Sequence, residues 1–228
     1  MSAHTSLRIS ATTRQRIAAA VLLLLGVVAY VLPTALHGNP PIDDAAATLD
    51  YVSSRKLWTL AHFANVAAIL MWAFAVALLH VSGALPLGRG AVARMSWSVA
   101  GGAFAIYFGI HAVGLWSAAE QLGTIPEQTV IERTEALLHV LGSAAFVSQA
   151  LVGVSVALLG VALMRRTRSS LVLGGVGILA GAGWATGAVM INFAIIVPFT
   201  LLTWAWVVVV AIVVLRTRLR STATTHGP

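Results

Sequence analysis

Leu171–Leu215, LVLGGVGILAGAGWATGAVMINFAIIVPFTLLTWAWVVVVAIVVL, runs for 45 residues without a charged side chain. A single helix of that length would measure roughly 68 Å at about 1.5 Å per residue, over twice the ~30 Å hydrocarbon core of a bilayer. Arg165, Arg166 and Arg168 precede the stretch and Arg216, Arg218 and Arg220 follow it. Basic flanks stay on the cytoplasmic side, so both ends belong there and the stretch must cross twice. The reversal is expected between Met190 and Pro198, with Asn192 in the turn. Pro198 suits the first turn of the returning helix, where a missing N–H has no partner to lose.

Working outward, four further apolar runs complete an all-α, polytopic bundle. The six transmembrane helices are expected at about 17–35, 57–80, 96–116, 136–164, 171–190 and 197–215. The first run exceeds a signal peptide's apolar region and lacks a small-residue cleavage site after His37-Gly38, so it reads as a retained span. A basic tail, 1–16, precedes the membrane domain of 17–216, and a second tail, 217–228, follows it. Between the first two spans a short helix is expected from Asp43 to Val52. Composition agrees: 59% of the 228 residues are hydrophobic, 9% are charged, and mean hydropathy is +0.91. These values define a membrane protein and exclude an ordinary soluble domain.

Charge then orients the bundle. The N-terminal tail, the Arg89/Arg94 segment, the Arg165–Arg168 segment and the C-terminal tail hold eleven of the fourteen basic residues and none of the seven acids. Arg55, Lys56, Arg133 and all seven acids fall on the other side. Both termini are therefore expected in the cytoplasm of a plasma-membrane protein. The net charge of +7 does not indicate nucleic acid, because the arginines flank spans and form no soluble basic domain. With no cysteine, disulfides, thiolate metal sites and thioether-linked haem are excluded.

Candidate chemistry gathers towards the acidic side. On the second span Trp58, His62 and Asn65 share one helical face. On the third Tyr107 and His111 do the same, one turn from Gly114. On the fourth Glu132, Glu135, His139 and Ser143 form a stripe at spacings of 3, 4 and 4. Imidazoles and amides in a bilayer need partners, and consecutive helices are usually neighbours, so these faces are expected to converge beneath the outer surface. The segments TLAHFANVAAILMWAFAVALL and ALLHVLGSAAFVSQALVGVSV share an early histidine and a following Ala-Ala, a thin hint of duplication.

Three chemistries suit such a cluster. Two histidines on separate helices, His62 and His111, would serve as axial ligands of haem b, with Tyr107, Trp58 and Asn65 around the cofactor. Alternatively, His62, His111 and His139 would bind a divalent metal ion such as zinc or copper, with Glu135 or Glu120 alongside. In the third, Glu135 and Glu120 act with a histidine as acid and base on an isoprenoid or other lipid-soluble substrate. Against all three stands a structural role, in which these groups hydrogen-bond one another and the headgroups in a non-catalytic accessory subunit. No HExxH or similar tight metal motif occurs. His37 in the outer loop can join the cluster, whereas His80 reads as interfacial, and His4 and His226 belong to the tails. Gly177/Gly181 and Gly183/Gly187 are small-xxx-small pairs that predict close helix contact, within the chain or between copies in an oligomer.

Overall fold

Apolar runs in lipid become helices because no water is present to satisfy an unpaired backbone group. A computed structural model describes residues 10–223. His4, Arg8 and His226 lie outside the described residues, as do the side chains of Arg218 and Arg220. The elements are α1 (Ala11–His37), α2 (Ala45–Ser53), α3 (Trp58–Val81), α4 (Leu87–Glu120), α5 (Glu127–Leu163), α6 (Arg168–Val189) and α7 (Phe193–Ala223). All except α2 are long and apolar enough to span a membrane. The chain is a multi-pass, all-α membrane protein.

The helix ends carry local explanations. Asp44 caps α2 by accepting from the Ala47 amide at 2.9 Å, the role expected of an N-cap carboxylate. Asn192 does the same for α7: its Oδ1 accepts from the Ala194 amide at 3.0 Å. Because Asn192 starts the helix, α7 begins at Phe193 and Pro198 lies inside it, beyond its first turn. The Arg89/Arg94 segment is helical instead of a loop, since α4 starts directly after Pro86. At 34 and 37 residues, α4 and α5 measure roughly 51 and 56 Å and extend beyond the hydrocarbon.

Spatially the six long helices form a closed ring in which α1 packs on α3, α3 on α4, α4 on α5, α5 on α6, α6 on α7, and α7 back on α1. The short α2 lies across the acidic end against α4 and α5. Lipid is as apolar as leucine, so burial alone does little to hold such helices together; close packing and interhelical hydrogen bonds must do so. Tryptophan supplies four of the bonds. Indole N–H groups donate from Trp72 to Leu23 O (3.1 Å), from Trp58 to His111 O (3.1 Å), from Trp184 to Gln149 Oε1 (3.2 Å) and from Trp206 to Leu173 O (2.8 Å). The hydroxyls of Ser96 and Ser155 join α4 to α5 at 2.6 Å. Where α7 meets α1, Tyr30 and Trp204 bring their rings to 5.2 Å. Tyr30 also contacts Trp72, Phe104 and Phe108, forming an aromatic hub at the centre of the ring.

Glycine supplies the close packing. A methyl group on Gly153 would meet Ala185 N at 2.6 Å and Gly181 O at 2.7 Å; one on Gly160 would meet Gly174 O and Ile178 N, both at 2.7 Å. The α5 and α6 backbones therefore touch directly. Gly181 faces this seam, Gly177 lies chiefly under Trp206 of α7 and secondarily against Gly160, and Gly183 and Gly187 take Phe199 and Ile196 of α7. The small-residue pairs of α6 are thus filled from within the chain.

Gly153→Ala or Gly160→Ala should destabilise the detergent-solubilised protein by about 1–3 kcal/mol, as overpacking does in tight cores. Gly102→Ala, at a position with no atom within 4 Å of the added carbon, should leave thermal unfolding nearly unchanged. The cysteine-free background also allows a direct topology test with single cysteines at two exposed positions, Thr124 and Ser169. A membrane-impermeant maleimide should label Thr124→Cys on intact cells and Ser169→Cys only after permeabilisation. The reverse pattern would invert the orientation.

Candidate functional site

Trp58 opens α3 at the acidic end of the bundle, and from there a polar stripe descends one helical face. Trp58, His62 and Asn65 are all fully buried. Opposite them, α4 presents His111 with Tyr107 one turn away, the two rings stacked at 5.5 Å and 20°. From α1, His37 arrives at the helix terminus and stacks on His62 at 4.7 Å and 25°. Gly38, with φ of +67°, turns the chain away immediately afterwards, a conformation that favours glycine. Tyr51 of α2 donates its hydroxyl to the His37 carbonyl and so ties the short helix to the end of α1.

Three hydrogen bonds close a loop, two of them joining α3 to α4 and one lying within α3. His62 Nδ1 lies 2.8 Å from Trp58 O, His111 Nδ1 lies 2.6 Å from His62 Nε2, and Trp58 Nε1 lies 3.1 Å from His111 O. The partners assign the protons when both rings are neutral. A carbonyl only accepts, so His62 Nδ1 carries hydrogen and its Nε2 is bare. His111 Nδ1–H then donates to that nitrogen, and His111 Nε2 is left as an acceptor. Each donor in the loop thus feeds the next residue in one direction.

Two buried polar atoms beside the loop have no such partner: His37 Nδ1 and Asn65 Nδ2. Asn65 reaches Thr34 of α1 at 3.4 Å, but Thr34 places its hydroxyl closer to Tyr30 O, at 2.7 Å. A hydroxyl has one proton, so the Asn65 contact is the weaker. The site therefore consists of a closed hydrogen-bond loop flanked on the α1 side by unspent polar capacity.

The remaining sequence candidates lie elsewhere. His139, Glu135, Glu132 and Ser143 are exposed on the outward face of α5, and Glu120 is exposed at the end of α4. His139 offers its backbone carbonyl to Ser143, and its ring is not brought to His62 and His111. His37 occupies that third place. As placed, no three histidine or acidic residues among those described form a ready metal-binding group. Phe108, whose ring is 6.0 Å from His62, and Thr34 join the site without having stood out in the sequence. Thr34 precedes His37 by three residues, so their shared helical face was available as a signal once His37 was counted.

Fold and site together define a multi-pass helical membrane protein with an imidazole cluster buried near the acidic end of its helix ring. Compared with known proteins, the chain matches no family model, no curated sequence and no solved structure.

Replacing Trp58 by Phe should remove one member of the loop while keeping an aromatic ring. A loss of about 0.5–1.5 kcal/mol is expected, the usual net contribution of a hydrogen bond. Thermal unfolding in detergent measures it. Leu57→Ala, at an exposed neighbour, should have no comparable effect.

Proposed function

We propose that the cluster of His37, His62 and His111 binds one late first-row transition-metal ion of the zinc–copper class. The observation that carries this is the direct apposition of His62 Nε2 and His111 Nδ1 at 2.6 Å. Replacing the shared proton with a metal at about 2.0–2.1 Å from each nitrogen, in tetrahedral geometry, opens that gap to about 3.3 Å. A small separation of α3 and α4 is enough. His62 already donates its other ring N–H to the Trp58 carbonyl, the arrangement that orients metal-ligating histidines. His37, half-buried and stacked on His62 with Nδ1 unpartnered, supplies the third nitrogen.

The same spacing argues against haem b. Axial ligands on opposite faces of a macrocycle stand about 4 Å apart, and the plane between them must be clear. Here a hydrogen bond fills that space, and Trp58 packs on His62 at 4.2 Å and on His111 at 5.1 Å. The third chemistry lacks its acids at the site, because Glu120 and Glu135 are exposed outside the cluster. Those carboxylates suit a different task. With Asp43, Asp44, Asp50, Glu127 and Glu132 they give the histidine end a negative field that draws cations towards it. The protein then takes its ion from the acidic, extracytoplasmic side of the plasma membrane, in a metal-sensing or redox role.

Elemental analysis of tag-free protein, loaded with zinc or copper and desalted, should find about one equivalent. His62→Ala and His111→Ala should each weaken binding at least tenfold, while His139→Ala should bind as the parent does. Wild-type stoichiometry in a His62→Ala/His111→Ala double variant would overturn the assignment. So would a Soret band that vanishes with His62.

A further inference from the structure

At the opposite end of the bundle a cavity of about 1200 Å³ opens between α6 and α7. Its walls are apolar, with Val172 and Val176 from α6 and Leu202, Ala205 and Val209 from α7. Arg16, Arg165 and Arg168, with Thr167, Ser169 and Ser170, supply the polar part of its lining. From Leu202 to Val213 the α7 wall extends roughly 16 Å, about the depth of one leaflet.

The charge at this mouth is uncompensated. None of the seven acidic residues of the chain belongs to this end of the bundle: they are Asp43, Asp44, Asp50, Glu120, Glu127, Glu132 and Glu135, all in or beside the connections of the other end. Arg16 donates to Ser82 O at 3.0 Å and Arg165 to Ala84 O at 2.7 Å. These bonds fix both side chains against the α3–α4 turn yet use one of five N–H donors on each. Arg16 Nε is buried with no partner at all. Beside these groups lies the start of α6, whose Thr167 cap accepts from the Ser170 amide. The positive end of that helix adds to the same field.

Three cations beside an apolar crevice are complementary to an anion that carries an acyl tail. We propose that this crevice is a specific site for an anionic phospholipid of the cytoplasmic leaflet. The headgroup phosphate is held by Arg16, Arg165 and Arg168, and one acyl chain descends between α6 and α7. Anionic lipids are concentrated in that leaflet and are drawn to basic juxtamembrane groups. Arginine is suited to the role, since its planar fork matches phosphate oxygens. The site is independent of the histidine cluster and makes no use of it.

Native mass spectrometry of detergent-purified protein, mixed with equimolar dioleoyl-phosphatidylglycerol and dioleoyl-phosphatidylcholine, tests the proposal. One phosphatidylglycerol should be retained with at least fivefold preference. Arg165→Gln/Arg168→Gln should abolish that preference, and Ala205→Trp, which fills the slot while sparing the arginines, should reduce retention at least fivefold. Millimolar inorganic phosphate should not displace the lipid. Equal retention of the two lipids by the wild-type chain overturns the proposal without reference to any variant. Displacement by inorganic phosphate would also overturn it, marking a site for the free anion, and so would undiminished binding to Ala205→Trp.

Discussion

A polar group inside a bilayer has no water to turn to, and the whole bundle is arranged around that constraint. Its strongest expression is the loop of Trp58, His62 and His111, in which two imidazoles and an indole satisfy one another and two backbone carbonyls. The same device recurs with single bonds elsewhere. A carbonyl already engaged within its own helix keeps a second lone pair, and Trp72 and Trp206 use such acceptors on neighbouring helices. Each bond contributes little, on the order of 0.6 kcal/mol in a membrane setting. Distributed around a closed ring, with glycine contact between α5 and α6, they replace the hydrophobic drive that lipid removes.

The two ends of the ring are chemically opposite, and α1 reaches both. At one end it delivers Arg16 to the α3–α4 turn; at the other it delivers His37 to the imidazoles. The acidic end combines carboxylates with imidazoles, the setting of the proposed cation site. The arginine end combines arginines with an apolar crevice, the setting of the proposed lipid site. The proposed metal site and the proposed lipid site both follow this division of charge.

The fold was largely legible before any coordinates, because charge and length speak plainly at membrane thickness. The 45-residue uncharged stretch could only be a hairpin, and Asn192 lies at its turn as a short polar residue should. Helix-period spacing also placed Trp58, His62 and Asn65 on one face, and all three are buried together. What periodicity cannot give is the rotation of one helix about its axis relative to its neighbours. His62 and His139 begin similar segments, yet one is buried and the other exposed. Their immediate neighbours in sequence are alike, and only packing separates them. His37 shows the complementary difficulty: a residue at a helix end, beside glycine and prolines, has no period to betray its direction.

The meeting of the imidazoles is the point on which the account turns, and nitrogen NMR of histidine-labelled protein in lipid addresses it directly. The structure predicts that His62 and His111 are both protonated at Nδ1, with a resolved coupling across the His111 N–H···N His62 bond that disappears in His62→Ala. Rings protonated at Nε2, with no coupling between them, would mean that the two histidines do not meet. In that case the hydrogen-bond loop, and the metal site built on it, would both fall.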